Sequence, residues 1–121
     1  SARACVKAVK RWGLRNRTVY ISFHVWQLRE VRQSDRKACL GYIFNQTPSD
    51  INAVNDELGL TAVGQNIEYL TRSNVALWQN EGLLVNVWTV NGSADIKRML
   101  KWGVDSVTGN YPRRVTSALK Q

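Results

Sequence analysis

"LLVNVWTVNG" (residues 83–92) decides how this chain is read. Val85, Val87 and Trp88 look like buried strand positions. Asn86 interrupts them, and Thr89, Asn91 and Gly92 close the run. A packed core gives no reason to place polar groups there, because a buried amide or hydroxyl without a partner costs about 1–3 kcal/mol. A binding site at the strand's carboxyl end gives one. SADIKRMLKWG (93–103) comes directly after it with helical spacing: Ser93 to cap, Ile96, Met99 and Leu100 as the apolar stripe, and Gly103 to stop it.

The same rhythm extends outward in both directions. Upstream, TVYISF (18–23) is β-branched and aromatic and reads as a strand. VWQLREVRQ (25–33) returns to helix, with Val25, Leu28 and Val31 inward. ACLGYIF (38–44) is a second short strand. Thr47-Pro48 opens a helix with Ile51, Val54 and Leu58 as its stripe and Gly59 as its end. LTAVGQN (60–66) is a third, weaker strand. Ser73 is expected to cap a helix running from Val75 to Asn80 and stopped at Gly82. Downstream, a short strand lies within Val104 to Thr108, and Pro112 begins a last helix. The first segment, ARACVKAVKRWGL, should be a helix ending at Gly13, with Cys5, Val6, Val9, Trp12 and Leu14 on one apolar face.

A leading helix and then five strand–helix pairs predict parallel strands with covering helices, as in a (β/α) barrel or a doubly wound sheet. No G-x-G-x-x-G and no P-loop is present, which removes the usual nucleotide signals and disfavours the doubly wound reading. The chain has 121 residues, 44% apolar and 21% charged, enough for one core. No apolar run approaches the roughly 18 residues that span a bilayer. The basic start, SARACVKAVKRW, has no apolar h-region, so no signal peptide is expected in the stretch given. Cytoplasmic placement is the expectation for the segment, with membrane attachment of a longer parent left open.

Net charge is +8, and residues 1–40 carry all of it, with ten Lys or Arg against Glu30 and Asp35. Such asymmetry marks either a solvated basic helix face or contact with nucleic acid, anionic lipid or phosphate. No aromatic interleaving or nucleic-acid motif accompanies the basic run, so no nucleic acid is expected. Cys5 and Cys39 are too few for a disulfide framework and are expected to be small buried residues. His24 is the only histidine, which makes both a zinc site and a Ser-His-Asp triad improbable.

The run VNVWTVNGSADIKRMLKWGVDSVTGNYPRRV resembles the carboxyl-terminal end of the glycerophosphodiester phosphodiesterase family. Val85 to Asn91 matches the family's V-x-V-W-T-V-N strand, and Ala94 to Leu100 matches its next helix. Gly103-Val104-Asp105 matches the Gly-Val-Asp beyond that helix, and Asn110-Tyr111-Pro112 the end of the family's last strand. Upstream, YISF (20–23) resembles the family's Ser-Phe strand end, and LGYIF (40–44) its next strand. The resemblance covers nearly all the chain after about residue 12. It implies an α/β fold, specifically a partial (β/α)8 TIM barrel made of the last five strands with their covering helices, with residues 1–121 as the carboxyl-terminal portion of the domain. A whole barrel takes about 250 residues.

The resemblance also implies a function: hydrolysis of glycerophosphodiesters to glycerol 3-phosphate and an alcohol, with a divalent cation, Ca²⁺ or Mg²⁺, on the full-length enzyme's carboxylates. Trp88, Phe23, Ser22 and Asn91 are then expected to bind substrate, with barrel packing as the competing role for Trp88. The family's His-Arg-Gly and Glu-x-Asp motifs are absent here, so no catalytic or metal residue is assigned and the fragment alone is expected to be inactive and metal-free. Glu30, Glu57, Glu68 and Glu81 lie on or beside predicted helices and match no ligand; Asp105 reads as structural. Where the family has Thr-Asp-Tyr-Pro, this chain has Thr108-Gly109-Asn110-Tyr111-Pro112, one small residue longer and one negative charge poorer. The alternative function is a non-catalytic binding or assembly module. Exposed strand edges lead to the expectation of a homodimer.

Overall fold

The computed structural model describes residues 1–120. Its elements run α1 (Ala2–Arg11), a 3-10 turn (Arg15–Arg17), β1 (Val19–Ser22), α2 (Val25–Ser34), β2 (Cys39–Phe44), α3 (Ile51–Leu58), β3 (Ala62–Asn66), α4 (Arg72–Asn80), β4 (Leu84–Trp88), α5 (Ser93–Trp102), β5 (Ser106–Val107) and α6 (Pro112–Leu119). The five strands are parallel and ordered β1-β2-β3-β4-β5, each joined to the next through a helix. A doubly wound sheet reverses its strand order at a switch point. Here the order never reverses, which is the connectivity of a barrel wall.

The chain divides into two compact units: Ser1–Ile43 with Pro48–Ala62, and Phe44–Thr47 with the residues from Val63 onward. In the first, β1 pairs with β2 in the register Val19↔Cys39 to Ser22↔Tyr42. Leu28 and Val31 of α2, Leu40 and Tyr42 of β2, and Ile51, Val54 and Leu58 of α3 form its core with Val6. The Arg32 guanidinium ties α2 to the end of α3 by donating to the Leu58 and Gly59 carbonyls at 2.9 and 3.2 Å. Gly59 sits at φ 66°, where a side chain would be strained, and so ends α3 as the sequence predicts.

In the second unit, β4 pairs with β5 in the register Asn86↔Ser106 and Val87↔Val107. Successive strand residues face opposite ways. Val85 and Val87 therefore turn to the helices and are fully buried with Val75, Trp78, Ile96 and Met99. Leu84, Asn86 and Trp88 take the other face, and Leu84 is 51% exposed. The first unit repeats the pattern: Ile21 of β1 is 63% exposed while Ser22 is buried. Parallel sheets ordinarily bury both faces. This one leaves apolar side chains uncovered on the face turned from the helices.

Several expectations are corrected. Trp88 is half-buried rather than buried. Of the apolar face assigned to α1, only Val6 is buried; Cys5, Leu14 and Trp12 are exposed, Trp12 to 72%. Helical spacing marks a face but not what covers it. Cys39 is half-buried. Thr71, not Ser73, caps α4, its hydroxyl accepting from the Asn74 amide at 3.1 Å. Ser93 is the first residue of α5 and makes no capping bond. The helix expected from Thr47-Pro48 begins at Ile51.

Candidate functional site

The second unit gathers uncharged polar groups along its strands and just beyond their carboxyl ends. The β4–β5 register sets Asn86 beside Ser106, and its Nδ2 donates to Ser106 Oγ at 2.7 Å and Thr108 Oγ1 at 3.1 Å. Trp88, two residues on, shares that strand face. Its carbonyl accepts from the Ile67 amide at 2.7 Å, and the Trp88–Thr89 peptide is cis. At the end of β3, Asn66 Nδ2 donates to Asn45 Oδ1 at 3.2 Å. Gln65, fully buried, donates through Nε2 to the Asn45 carbonyl at 3.0 Å and Thr47 Oγ1 at 2.9 Å.

Beyond β4 the chain is held against the loop after β5. The Val90 amide donates to the Thr108 carbonyl at 2.8 Å. Asn91 Oδ1 accepts from the Asn110 amide at 2.8 Å, and Arg114 Nη1 donates to the Asn91 carbonyl at 3.0 Å. Gly109 fits this turn because a Cβ there would lie 2.2 Å from the Val90 oxygen. The extra small residue of this loop is thus the one that permits the close approach. Asp105, at the other end of β5, accepts from the Val85 amide at 2.7 Å and from Gln79 Nε2 at 3.2 Å. That structural role agrees with its reading from sequence.

In the first unit, Ser22 ends β1 on the helix-facing side. Its hydroxyl bonds to Gln27 Oε1 and accepts from the His24 amide at 2.9 Å. It lines a cavity of about 240 Å³ with Cys5, Tyr20, Gln27, Leu28 and Val31. Phe23 is 48% exposed, and the His24 and Trp26 rings stack beyond it at 6.2 Å. Charged groups here hold structure. Asp35 is buried and accepts from Arg15 Nε at 2.9 Å and from the Lys37 amide at 3.0 Å. Burial alone would raise its pKa, but the Lys37 amide, the Arg15 guanidinium and the charge of Lys10 outweigh it and hold the carboxyl below the ordinary value. Arg29 forks onto Glu57 at 2.6 and 2.8 Å, and that hydrogen bond lowers the Glu57 carboxyl too. Burial, first of all, raises the Tyr20 and Tyr42 hydroxyls.

Of the four residues expected to bind substrate, Trp88 and Asn91 fall in the second unit, one on the open strand face and the other spent on the loop after β5. Ser22 and Phe23 fall in the first, the former turned to its own helix and the latter outward. The sequence reading does not single out Asn45, Asn66, Ser106 and Thr108 as site residues. The signal that finds them is polar alternation within strands, as in S-V-T at 106–108. Amides and hydroxyls suit recognition of a polyol by hydrogen bonds; they supply no acid or base near neutral pH. Among the described residues no group of three His, Cys, Asp or Glu side chains could hold a metal ion, so this donor set does not fit the divalent cation implied by the resemblance.

Comparison with known proteins gives a consistent answer. The model of the glycerophosphoryl diester phosphodiesterase family matches residues 1–114. A curated glycerophosphodiester phosphodiesterase of Bacillus subtilis is 41% identical over 69 residues, 55% of this chain and 24% of that protein. A crystal structure of a glycerophosphodiester phosphodiesterase from Parabacteroides distasonis superposes with a TM-score of 0.85 at 29% identity, covering 98% of this chain and 50% of that one. A phosphodiesterase of Oleispira antarctica in complex with the product sn-glycerol-3-phosphate shares the fold at a TM-score of 0.83 and 16% identity, covering 99% and 51%. The chain thus spans about half the length of these solved relatives.

Proposed function

Since this chain belongs to the glycerophosphoryl diester phosphodiesterase family, we propose that it forms the carboxyl-terminal part of a barrel that hydrolyses glycerophosphodiesters to glycerol 3-phosphate and an alcohol. The observation that carries this reading is the family match over residues 1–114, joined to uncharged polar groups of which Asn66 ends β3 and Thr108, just past β5, bonds Asn86 in the middle of β4; barrel enzymes build their sites at the carboxyl ends of their strands. The product named for the Oleispira relative, sn-glycerol-3-phosphate, is a polyol phosphate of the kind such groups recognise.

Cleaving a phosphodiester requires neutralising the non-bridging oxygens, activating a nucleophile and protonating the leaving alkoxide. The amides and hydroxyls here do none of these. In this reading the acid, the base and the carboxylates for a divalent cation belong to a part of the protein outside this chain, and the chain alone is inactive and binds no cation. Its own residues bind and orient. The Trp88 indole packs against the carbon skeleton of the substrate, and Asn86 and Thr108 present hydrogen-bonding groups beside it. Asn91 acts by holding the loop after β5. At the end of β1, Phe23 serves as an apolar wall, and Ser22 fixes the turn that carries it.

Steady-state kinetics on a longer protein that contains this chain test the assignment. Trp88→Ala should raise KM about tenfold or more while kcat falls less, as for a group that binds ground state and transition state alike. An unchanged KM would remove Trp88 from the site. The alternative is a non-catalytic binding or assembly module that uses the half-barrel. It requires that a longer protein also lack hydrolase activity. The strand order, which leaves β1 at one end and β5 at the other, supports a further proposal, that two copies of the chain associate through their strand edges. Light scattering should then give twice the chain mass; a monomer at high concentration would refute it.

A further inference from the structure

Between α5 and α6 lies a groove of about 300 Å³ lined by Ser93, Lys97, Arg113, Arg114, Ser117 and Ala118. Three cations and two hydroxyls face it, and no carboxylate does. The only acid on α5, Asp95, is engaged by Arg98 at 3.1 Å, and α6 has none. Lys97 and Arg113 make no ion pair or hydrogen bond among the described residues. Arg114 is already oriented: it donates to the Asn91 carbonyl at 3.0 Å and lies 4.1 Å from the Tyr111 ring centroid. Like charges gathered in a concavity repel one another and are relieved by an anion. A larger groove in the first unit, about 680 Å³ and lined by Arg3, Lys7 and Lys10, differs on both counts. Glu30 sits in its wall, and Lys10 is spent on the Ser34 carbonyl at 2.8 Å.

We propose that the α5–α6 groove binds a phosphate group, as inorganic phosphate, a soluble phosphomonoester or a phosphomonoester lipid headgroup. Lys97 and Arg113 donate charge-assisted hydrogen bonds to its oxygens, and Ser93 and Ser117 add neutral ones. Arg114 forms the third wall and links the groove to the β4–α5 loop through Asn91. The groups that would hold the phosphate are not those assigned to the glycerophosphodiester, so the proposal does not rest on the hydrolase reading.

The test is a ¹⁵N–¹H NMR titration of the purified protein with inorganic phosphate and with glycerol 3-phosphate at low ionic strength. Saturable shifts are expected at the amides of Ser93, Lys97, Arg113 and Ser117, weakening as salt screens the charges. The double variant Lys97→Gln/Arg113→Gln should weaken binding about tenfold or more, while Lys97→Arg keeps it. Flotation with phosphatidylcholine vesicles, with and without phosphatidate, separates the sources. Capture by phosphatidate vesicles alone, lost in the double variant, assigns the site to a lipid headgroup; titration without capture assigns it to a free phosphate. Absence of saturable shifts in the unsubstituted protein together with absence of capture overturns the proposal. So do shifts confined to residues other than Ser93, Lys97, Arg113, Arg114, Ser117 and Ala118, or binding that the double variant leaves unchanged.

Discussion

At the carboxyl end of β1 the Ser22 hydroxyl is turned to its own helix, bonded to Gln27 and to the His24 amide, and the side chains that reach outward are the aromatics Phe23 and Trp26. At the ends of β4 and β5 the aromatic, Trp88, is half-buried, and the face it occupies carries an amide, Asn86, bonded to the hydroxyls of Ser106 and Thr108. The first arrangement makes an apolar rim on a helix-anchored turn. The second makes a hydrogen-bonding surface. The difference comes from which face the last strand residue takes: Ser22 falls on the helix side, whereas Asn86 and Trp88 fall on the open side. Two strand ends with similar-looking sequence, each pairing a polar residue with an aromatic one, thus come to offer different chemistry.

The largest effect is expected where the second region is packed most closely. Gly109→Ala should destabilise the protein by about 1–3 kcal/mol, because the new Cβ must displace the Val90 carbonyl. Gly92→Ala, whose Cβ would lie 3.6 Å from Asp95 Oδ2, should stay within about 0.5 kcal/mol. Thermal unfolding of the two variants compares them directly, and equal effects would break the claim that the loop after β5 is fixed by backbone approach.

A second pair sharpens the contrast. Asn91→Ala removes the acceptor of the Asn110 amide, and Ser22→Ala removes that of the His24 amide; each should cost about 1 kcal/mol. Hydrogen exchange should accelerate at Asn110 in the first variant and at His24 in the second. Crossed responses would mean that the two ends are not held as described.

The smallest effect is electrostatic and belongs to the first region. The folded-state pKa of Asp35 is depressed, so its contribution is present above the unfolded value of about 3.9. It is lost as pH falls from there through the folded value. Between pH 6 and pH 3 the unsubstituted protein should therefore lose more thermal stability than Asp35→Asn does. Equal losses would show that the Arg15 and Lys37 contacts do not favour the ionised form.

Much of the fold was legible in the sequence because the apolar periods agree with the breakers. Gly59 and Gly103 end α3 and α5 at positive φ, the stripe Ile51–Val54–Leu58 is buried as spacing predicts, and of the stripe Ile96, Met99 and Leu100 the first two are buried and Leu100 is half-buried. The first helix was legible as a helix but not in its packing: Trp12 and Leu14 fit its apolar period, yet they lie beyond its last turn and are exposed. The site was legible only in part. The polar closure of β4 pointed to Trp88 and Asn91. It could not show that Asn91 is spent on Asn110, because that bond joins residues 19 apart through a turn opened by Gly109. The Asn45–Asn66 and Asn86–Ser106 pairs stayed hidden for the same reason, since each needs a cross-strand register or loop closure that local pattern does not contain.

We propose a division of labour in which this chain binds and orients while the reactive groups belong to another part of the protein. Incubating the purified 121-residue chain with a glycerophosphodiester and Mg²⁺ or Ca²⁺, while monitoring glycerol 3-phosphate, tests that division directly. No release above the uncatalysed background is predicted; release that a chelator abolishes would contradict it.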